Sequence, residues 1–285
     1  MNDRIFVTLQ YVLPKQAMTV LAGWLAHWRG GRFTHAFIAW FVHRYQVDTA
    51  EAAEPELTRY TSFNAFFTRA LKPGARPLAD AAYVCPVDGA ISQLGPIQGD
   101  QVFQAKGHSY STQALVGGDA ALAAQFQDGV FATIYLSPKD YHRIHMPSAG
   151  RLRRMIHVPG DLFSVNPATA RGVPGLFARN ERVVCVFDMP AVAGEPVKPF
   201  VLVLVGATIV GSMATTWHGM VNPPRPGRVR EWTYDDPALQ LAQGDEMGRF
   251  LLGSTVVMLW PADTIHLNPA WQAALPVRLG EKMGD

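Results

Sequence analysis

The sequence predicts an α+β fold, with a mainly antiparallel β core, flanking helices and an N-terminal helical segment that faces a membrane. From residue 83 onward short β-type segments alternate with Gly/Pro turns, whereas the first 45 residues carry apolar side chains at helical spacing. With 285 residues, 48% of them hydrophobic and 17% charged, the chain can bury a substantial core and is not disordered. The net charge of +2 argues against a nucleic-acid-binding protein.

The N-terminal segment differs in charge and composition from the rest of the chain. Residues 1–45 hold five Lys or Arg against one Asp, so they carry 5 − 1 = +4 and the remainder carries 2 − 4 = −2. Aromatic and apolar residues follow helical spacing over residues 13–28 and 33–44, and Gly30-Gly31 separates the two stretches. Neither apolar run approaches the roughly 18 to 20 residues that a spanning helix needs. We expect residues 1–47 to form amphipathic helices that lie on a membrane surface, or a hairpin packed on the core or on a second subunit.

The remaining residues, 48–285, are expected to form one catalytic domain. A short amphipathic helix is expected over residues 63–71, followed by a linker rich in breakers, and a second helix over residues 117–127. The expected strands are residues 83–87, 90–95, 102–106, 130–136, 151–158, 182–189, 199–212 and 254–260. The last two are almost continuous apolar runs, so both of their faces should be covered. We expect buried, reduced thiols at Cys85 and Cys185 and no secretory signal over the first 15 residues.

Three segments carry residues suited to chemistry, and the first is Leu252-Gly253-Ser254-Thr255 at the start of the last strand. Gly253 has no side chain, so its carbonyl is open to attack by the adjacent Ser254 hydroxyl. The resulting ester can leave by elimination, and hydrolysis of the dehydroalanine then gives a pyruvoyl group and ammonia. This self-attack needs a base for the hydroxyl and a group that orients the base. The alternative is a simple turn before a strand.

The second segment, YLSPKDYHRIHMP over residues 135–147, holds His142 and His145. Histidine exchanges protons near neutral pH, so either residue can supply the base. We expect no metal here, because a metal site needs further ligands and the sequence has neither an HExxH motif nor a Cys pair. Lys139 in the same segment can attract an anionic substrate. The alternative is two surface histidines in a polar turn.

The third segment places Asp88 beside Gly89 in an otherwise apolar stretch. An aspartate before glycine commonly forms a turn. A carboxylate that points inward can instead hold a histidine in the correct tautomer. Both possibilities stay open from the residues alone.

Nine segments in order resemble the bacterial, membrane-associated phosphatidylserine decarboxylases, from about residue 10 to about residue 260. They are QYVLPK, FNAFF, PVDGAISQLG, QAKGHSYS, YLSPKDYHRIHMP, VPGDLFSVNP, LFARNERV, VLVGATIVGS and EMGRFLLGST. The pair YHRIHMP and LGST is the most specific part of the match. The resemblance implies pyruvoyl-dependent decarboxylation of phosphatidylserine to phosphatidylethanolamine and CO₂ by a peripheral enzyme on the cytoplasmic side of the cell membrane.

The resemblance also implies roles for individual residues. Ser254 becomes the covalently bound pyruvoyl group, which forms a Schiff base with the substrate, after cleavage of the bond between Gly253 and Ser254. Asp88 and His145 complete the triad for this self-cleavage. His142 serves the decarboxylation step.

Cleavage would yield a large chain, residues 1–253, and a small chain, residues 254–285. We expect these to form a heterodimer, which can pair further into a homodimer of heterodimers, and to bind phosphatidylserine and an anionic membrane surface. Lys139 and Ser164 are weaker candidates for contacts with the substrate.

Other classes of function remain open at this point. A serine hydrolase could use Asp88, His145 and Ser254 on an external ester, although the sequence has no GxSxG elbow to support it. A non-catalytic peripheral lipid-binding protein would need only the N-terminal segment. A pyruvoyl decarboxylase that acts on a free amino acid would share the chemistry of the lipid enzyme.

Overall fold

Three N-terminal helices precede an antiparallel β body in the computed structural model, which describes residues 3–191, 194, 196–209, 212–236, 238–253 and 255–285. Ser254 therefore lies outside the described residues. The helices are α1 (Asp3–Val12), α2 (Lys15–His27), α3 (Arg32–Tyr45), α4 (Phe63–Phe67), α5 (Thr112–Leu115), α6 (Ala120–Ala124), α7 (Pro167–Gly172) and α8 (Leu176–Arg179), with a 3₁₀ turn at Leu57–Arg59. The strands are β1 (Tyr83–Val84), β2 (Gly89–Pro96), β3 (Gln101–Ala105), β4 (His108–Ser111), β5 (Val130–Tyr135), β6 (Arg143–His145), β7 (Gly150–Val158), β8 (Arg182–Asp188), β9 (Pro199–Val205), β10 (Met213–Thr215), β11 (Gly219–Asn222), β12 (Arg230–Thr233), β13 (Gln240–Leu241), β14 (Glu246–Phe250), β15 (Thr255–Trp260), β16 (Pro276–Val277) and β17 (Lys282–Gly284).

The strands form a nine-stranded sheet, a four-stranded sheet and two two-stranded pairs, and their pairings are antiparallel. The large sheet has the order β12-β7-β8-β9-β15-β5-β2-β16, with β13 beside β7, and the smaller one has the order β11-β10-β14-β6. The predicted α+β class with a mainly antiparallel core is confirmed. Each of the eight expected strands corresponds to an observed one: β1, β2, β3, β5, β7, β8, β9 or β15.

The centre of the large sheet is buried on both faces. Along β15, Val256, Met258 and Trp260 enter one hydrophobic core, while Val257 and Leu259 enter the core on the opposite face. This alternation is what a strand imposes on an apolar run, because successive side chains point to opposite faces. The expectation that this strand is covered on both sides is confirmed.

The predicted strand over residues 199–212 is too long. The observed strand β9 ends at Val205, and residues 206–209 turn away from it. Ile209 has a φ of 70°, a left-handed conformation that a β-strand does not contain. This turn runs beside the predicted cleavage site.

Both helices predicted for the body are shorter than expected. The helix near residue 120 begins only after Asp119, whose carboxylate accepts a hydrogen bond from the Leu122 amide at 2.9 Å. Gly117 and Gly118, which were expected to be helical, have φ values of 88° and 96°. Helix α4 is capped by the Ser62 hydroxyl and ends at Phe67 rather than continuing to residue 71.

The N-terminal segment contains three helices where the spacing predicted two. The additional helix α1 ends before Pro14, and the predicted break at Gly30-Gly31 separates α2 from α3. Among the described residues, no single helix is long and apolar enough to cross a membrane, whereas Ile5–Val12 and Lys15–His27, bent by 86°, pass that test only as a pair. The inner face of α3 packs on α4 through Ile38 and Phe41.

Candidate active site

The three chemistry-bearing segments meet at one end of the large sheet. Strands β2, β5 and β15 are neighbours, and Tyr135 at the end of β5 is paired with both Ala90 in β2 and Thr255 in β15. In antiparallel neighbours the end of one strand lies beside the start of the next. The register therefore brings Asp88, the segment after β5 that holds both histidines, and Gly253 to the same end of the sheet.

His142 lies directly against Gly253. A Cβ atom on Gly253 would be 2.9 Å from Nε2 of His142, so only glycine fits without displacing the imidazole. The Phe67 ring packs on the same imidazole, with ring centroids 4.1 Å apart. This contact fixes the orientation of His142 beside the bond predicted to break.

The proton on His142 is assigned by its neighbours. Nδ1 is 2.8 Å from the carbonyl of Asp140, which only accepts, so Nδ1 carries the hydrogen and Nε2 carries the lone pair of the neutral ring. Nε2 is buried and has no hydrogen-bond partner within the described part of the chain. Burial lowers the pKa of His142 to about 3. His142 is therefore a neutral base at pH 7 whose lone pair faces the Gly253 region.

His145 is held differently. Its Nδ1 donates to the Gly244 carbonyl at 2.8 Å, and its Nε2 accepts from the Tyr141 hydroxyl at 3.2 Å. Burial lowers the pKa of His145 below its ordinary value and raises the pKa of Tyr141 to about 12. Both ring nitrogens of His145 are thus already engaged in this state of the protein.

The Asp88 carboxylate is buried and bound by Arg76. Nε of Arg76 lies 2.9 Å from Oδ1 and Nη2 lies 2.6 Å from Oδ2, and the Leu279 amide donates to Oδ1 at 2.9 Å. Among the described side chains no hydrogen bond joins Asp88 to His145. The negative charge of Asp88 still favours the protonated form of His145 and so raises its pKa, against the larger effect of burial. Asp88 points inward, which was one of the two possibilities that the sequence left open.

Two residues that contact Asp88 or His145 were not predicted from the sequence. Arg76, which lies in the stretch assigned to a linker, also binds Glu51 at 2.6 Å and thereby connects two carboxylates. Tyr141 supplies the hydroxyl that occupies His145. A lone arginine within a breaker-rich stretch is a weak signal, since most such cations are solvated.

A cavity of about 660 Å³ lies between the N-terminal helices and the end of the sheet that carries Gly253. Ser164 and Gly253 both line it, whereas Lys139 is exposed and lies outside the lining formed by the described residues. The wall is mainly aromatic and aliphatic: Ala22, Leu25, Ala26, Trp28, Phe33, Phe37, Trp40, Phe41, Phe63, Phe67, Leu136, Pro138, Val165, Ala207, Ile209 and Leu252. Such a cavity suits a ligand with a long apolar part and a small polar end.

The same helices carry an exposed aromatic stripe, and four of its members, Trp28, Phe33, Phe37 and Trp40, also line the cavity. Its six members are between 46% and 75% exposed, and they are Val20, Trp24, Trp28, Phe33, Phe37 and Trp40. These are positions that the helical spacing of the sequence placed on one face. Exposed apolar side chains in this number indicate a membrane or a protein partner.

Comparison with known proteins identifies the family. A family model described as phosphatidylserine decarboxylase matches residues 63–285, and a second, described as PSD, matches residues 5–46. A protein of Methylibium petroleiphilum named phosphatidylserine decarboxylase proenzyme is 69% identical over 283 residues, covering 99% of this chain and 98% of its own length. A protein of the same name from Dechloromonas aromatica is 64% identical over 285 residues, covering 100% of this chain and 99% of its own. The chain belongs to the phosphatidylserine decarboxylase family.

Proposed function

We propose that this chain is the proenzyme of a phosphatidylserine decarboxylase and cleaves itself between Gly253 and Ser254. The observation that carries this proposal is the position of Gly253, with the buried lone pair of His142 on one side and the apolar cavity of about 660 Å³ on the other. A non-catalytic lipid-binding protein would give no reason for a glycine held against an imidazole whose Nε2 has no hydrogen-bond partner among the described residues, and a serine hydrolase would give no reason for a chain that cleaves itself. The names of the relatives, which are proenzymes, support the same conclusion.

Self-cleavage begins when the Ser254 hydroxyl attacks the Gly253 carbonyl carbon. The amide nitrogen leaves as the ester forms, and elimination then breaks the Cβ–Oγ bond of Ser254 and releases the Gly253 carboxylate. Water hydrolyses the remaining dehydroalanine to the pyruvoyl group and ammonia. We assign removal of the hydroxyl proton to His145 and stabilisation of the resulting imidazolium to Asp88. His145 must release the Tyr141 hydroxyl to do so, because that hydroxyl occupies Nε2.

The residues around Gly253 fit a pyruvoyl group at position 254. When bound, this group supplies an electron sink for the carbon that loses CO₂. His142 offers the only unpartnered buried imidazole nitrogen among the described residues, and Phe67 holds its ring. We assign to His142 the return of a proton to that carbon, because its Nε2 faces the required position and is shielded from water. Since Nε2 of the neutral ring carries a lone pair, it first takes up the proton that the substrate ammonium group releases and then delivers it.

The cavity supports a lipid substrate rather than a free amino acid. Its aromatic and aliphatic wall suits acyl chains, and Ser164 adds a polar side chain at the same wall. Lys139 is exposed on the turn before the histidines, where a cation can contact an anionic headgroup. Comparing CO₂ release from phosphatidylserine with release from free serine distinguishes the two classes of substrate.

The N-terminal helices support attachment to a membrane surface. The exposed aromatic stripe lies on α2 and α3, and the side chains of Arg29, Arg32 and Arg44 in the same segment are exposed. Rings at headgroup depth and cations near anionic lipid favour an interfacial position. We infer that the enzyme is peripheral, with the cytoplasmic face of the cell membrane as its site.

Denaturing electrophoresis of the purified protein tests the proposal. We expect two chains, residues 1–253 and 254–285, with a keto group on the smaller one, and a single full-length chain for Ser254→Ala. His145→Ala and Asp88→Asn should also remain uncleaved, whereas His142→Ala should cleave but release no CO₂ from phosphatidylserine. Cleavage of Ser254→Ala would overturn the pyruvoyl mechanism. An uncleaved His142→Ala chain beside a cleaved His145→Ala chain would reverse the two histidine roles.

A further inference from the structure

Two polar residues of the membrane-facing helices are buried against the catalytic body. Gln10 in α1 and Thr19 in α2 are each only 4% exposed, although most of the side chains around them are solvent-exposed. The Gln10 side-chain oxygen accepts a hydrogen bond from the Ser164 amide at 3.0 Å and lies 3.2 Å from the Thr208 hydroxyl. The Thr19 hydroxyl accepts from the Ile209 amide at 3.1 Å. Polar side chains in these positions are held by specific partners rather than by water.

The segment that these residues hold runs beside the cleavage site. Residues 206–209 follow β9, whose last residue, Val205, is paired with Thr255. After this segment the Ser212 carbonyl accepts a hydrogen bond from the Leu251 amide at 3.0 Å. Residues 206–209 therefore lie between two contacts that bracket residues 251–255 on either side of the predicted cleavage.

The same contacts shape the cavity. Ser164, Thr208 and Ile209 line it together with Gly253, so the amides that Gln10 and Thr19 bind belong to its wall. Ile209 is held at a φ of 70°, which is unfavourable for a β-branched residue and persists only where the surroundings enforce it. The hydrogen bond to Thr19 is one such constraint.

We propose that Gln10 and Thr19 are positioning residues that fasten the membrane-facing helices to the cavity wall beside Gly253 and so hold that wall in the form that turns over lipid. This inference rests on the proposed function, since it concerns the same cavity. It assigns the helices a second task besides attachment: they complete the substrate site. Loss of either contact should lower turnover while leaving the exposed stripe free to bind the membrane.

The decisive variant is Thr19→Val, which keeps the shape of the side chain and removes the hydroxyl. With vesicles of phosphatidylcholine, phosphatidylglycerol and phosphatidylserine, we expect normal self-cleavage, normal co-sedimentation and a fall of about tenfold in CO₂ release at saturating substrate. Thr19→Ser should restore turnover, because it keeps the acceptor for the Ile209 amide. Gln16→Ala, on an exposed position of the same helix, is the matched control.

A second variant tests whether misfolding, rather than loss of the contact, lowers turnover in Thr19→Val. Gln10→Met removes the other contact at nearly constant length, and its loss of turnover should overlap with that of Thr19→Val rather than multiply it, because both act on one wall. Wild-type turnover in Thr19→Val, or a fall matched by lost co-sedimentation, would overturn the positioning role. Failure of the wild-type protein to release CO₂ would instead contradict the proposed function.

Discussion

At the scale of single residues, His142 shows how burial sets the protonation state of an imidazole. The imidazole is completely buried, and its pKa of about 3 lies well below the 6.5 of an unfolded chain. The Asp140 carbonyl accepts a hydrogen bond from one nitrogen of the neutral ring, and the other nitrogen has no hydrogen-bond partner in the part of the chain that the structure describes. The imidazole is therefore neutral throughout the physiological pH range.

This pKa predicts how stability depends on pH. Between about pH 6.5 and pH 3 the unfolded chain protonates His142 and the folded chain does not, so stability is lost as the pH falls below about 6.5. The loss is about 1.4 kcal/mol per pH unit for one histidine, or about 2 kcal/mol at pH 5. Urea unfolding of the uncleaved Ser254→Ala chain at pH 7 and pH 5 measures it. Adding His142→Gln should reduce the difference between the two pH values, and an unchanged difference would contradict the assignment.

The same scale shows what the sequence can and cannot predict about the site. The sequence motifs singled out Gly253, His142, His145 and Asp88, and the strand register brings their segments together. It did not predict Arg76 as the partner of Asp88, because that contact joins the stretch taken for a linker to the start of a strand. Which imidazole touches Gly253 also depends on tertiary packing, since both histidines lie in one short segment.

At the scale of elements, a helix or strand is predictable from the sequence only when its hydrophobic pattern is long enough to show a period. The long apolar runs of β9 and β15 identify both as buried strands, and the helical spacing of apolar residues identifies α2 and α3 as helices. Strands of the four-stranded sheet such as β6 and β10 have three residues each, too few to establish a period of two. Helix α1 was not predicted, because the helical spacing of apolar residues was followed only from residue 13 onward.

The exposed stripe on α2 and α3 predicts membrane binding that depends on its rings. Replacing Trp24 and Trp40 with serine removes two exposed indoles and leaves the buried residues of both helices unchanged. Because Trp40 also lines the cavity, the readout is vesicle binding rather than turnover. Loss of each ring removes roughly 1–3 kcal/mol from the free energy of membrane binding, so the affinity for anionic vesicles in co-sedimentation should fall at least about tenfold. Phe103→Ser, at an exposed aromatic position on β3, should have no effect. Unchanged sedimentation of the double variant would exclude the stripe as the attachment surface.

At the scale of the whole molecule, self-cleavage divides the chain but does not divide the fold. The predicted small chain, residues 254–285, contains β15 in the middle of the large sheet, between β9 and β5. It also contains β16, which pairs with β2, and β17, which pairs with β1. Three separate strands of the small chain are thus hydrogen-bonded to the large chain, and β15 is buried on both faces.

We therefore expect the two chains to stay together after cleavage until the protein unfolds. Removing β15 would open the ladder of hydrogen bonds on both sides and expose both hydrophobic cores, which amounts to global unfolding. Size-exclusion chromatography of the cleaved enzyme should give one peak containing both chains in buffer, and two species only above the guanidinium concentration that abolishes the near-ultraviolet dichroism. The uncleaved Ser254→Ala chain should elute as the native enzyme does. Release of free small chain in buffer, before the fold is lost, would show that the central strand can leave an intact sheet.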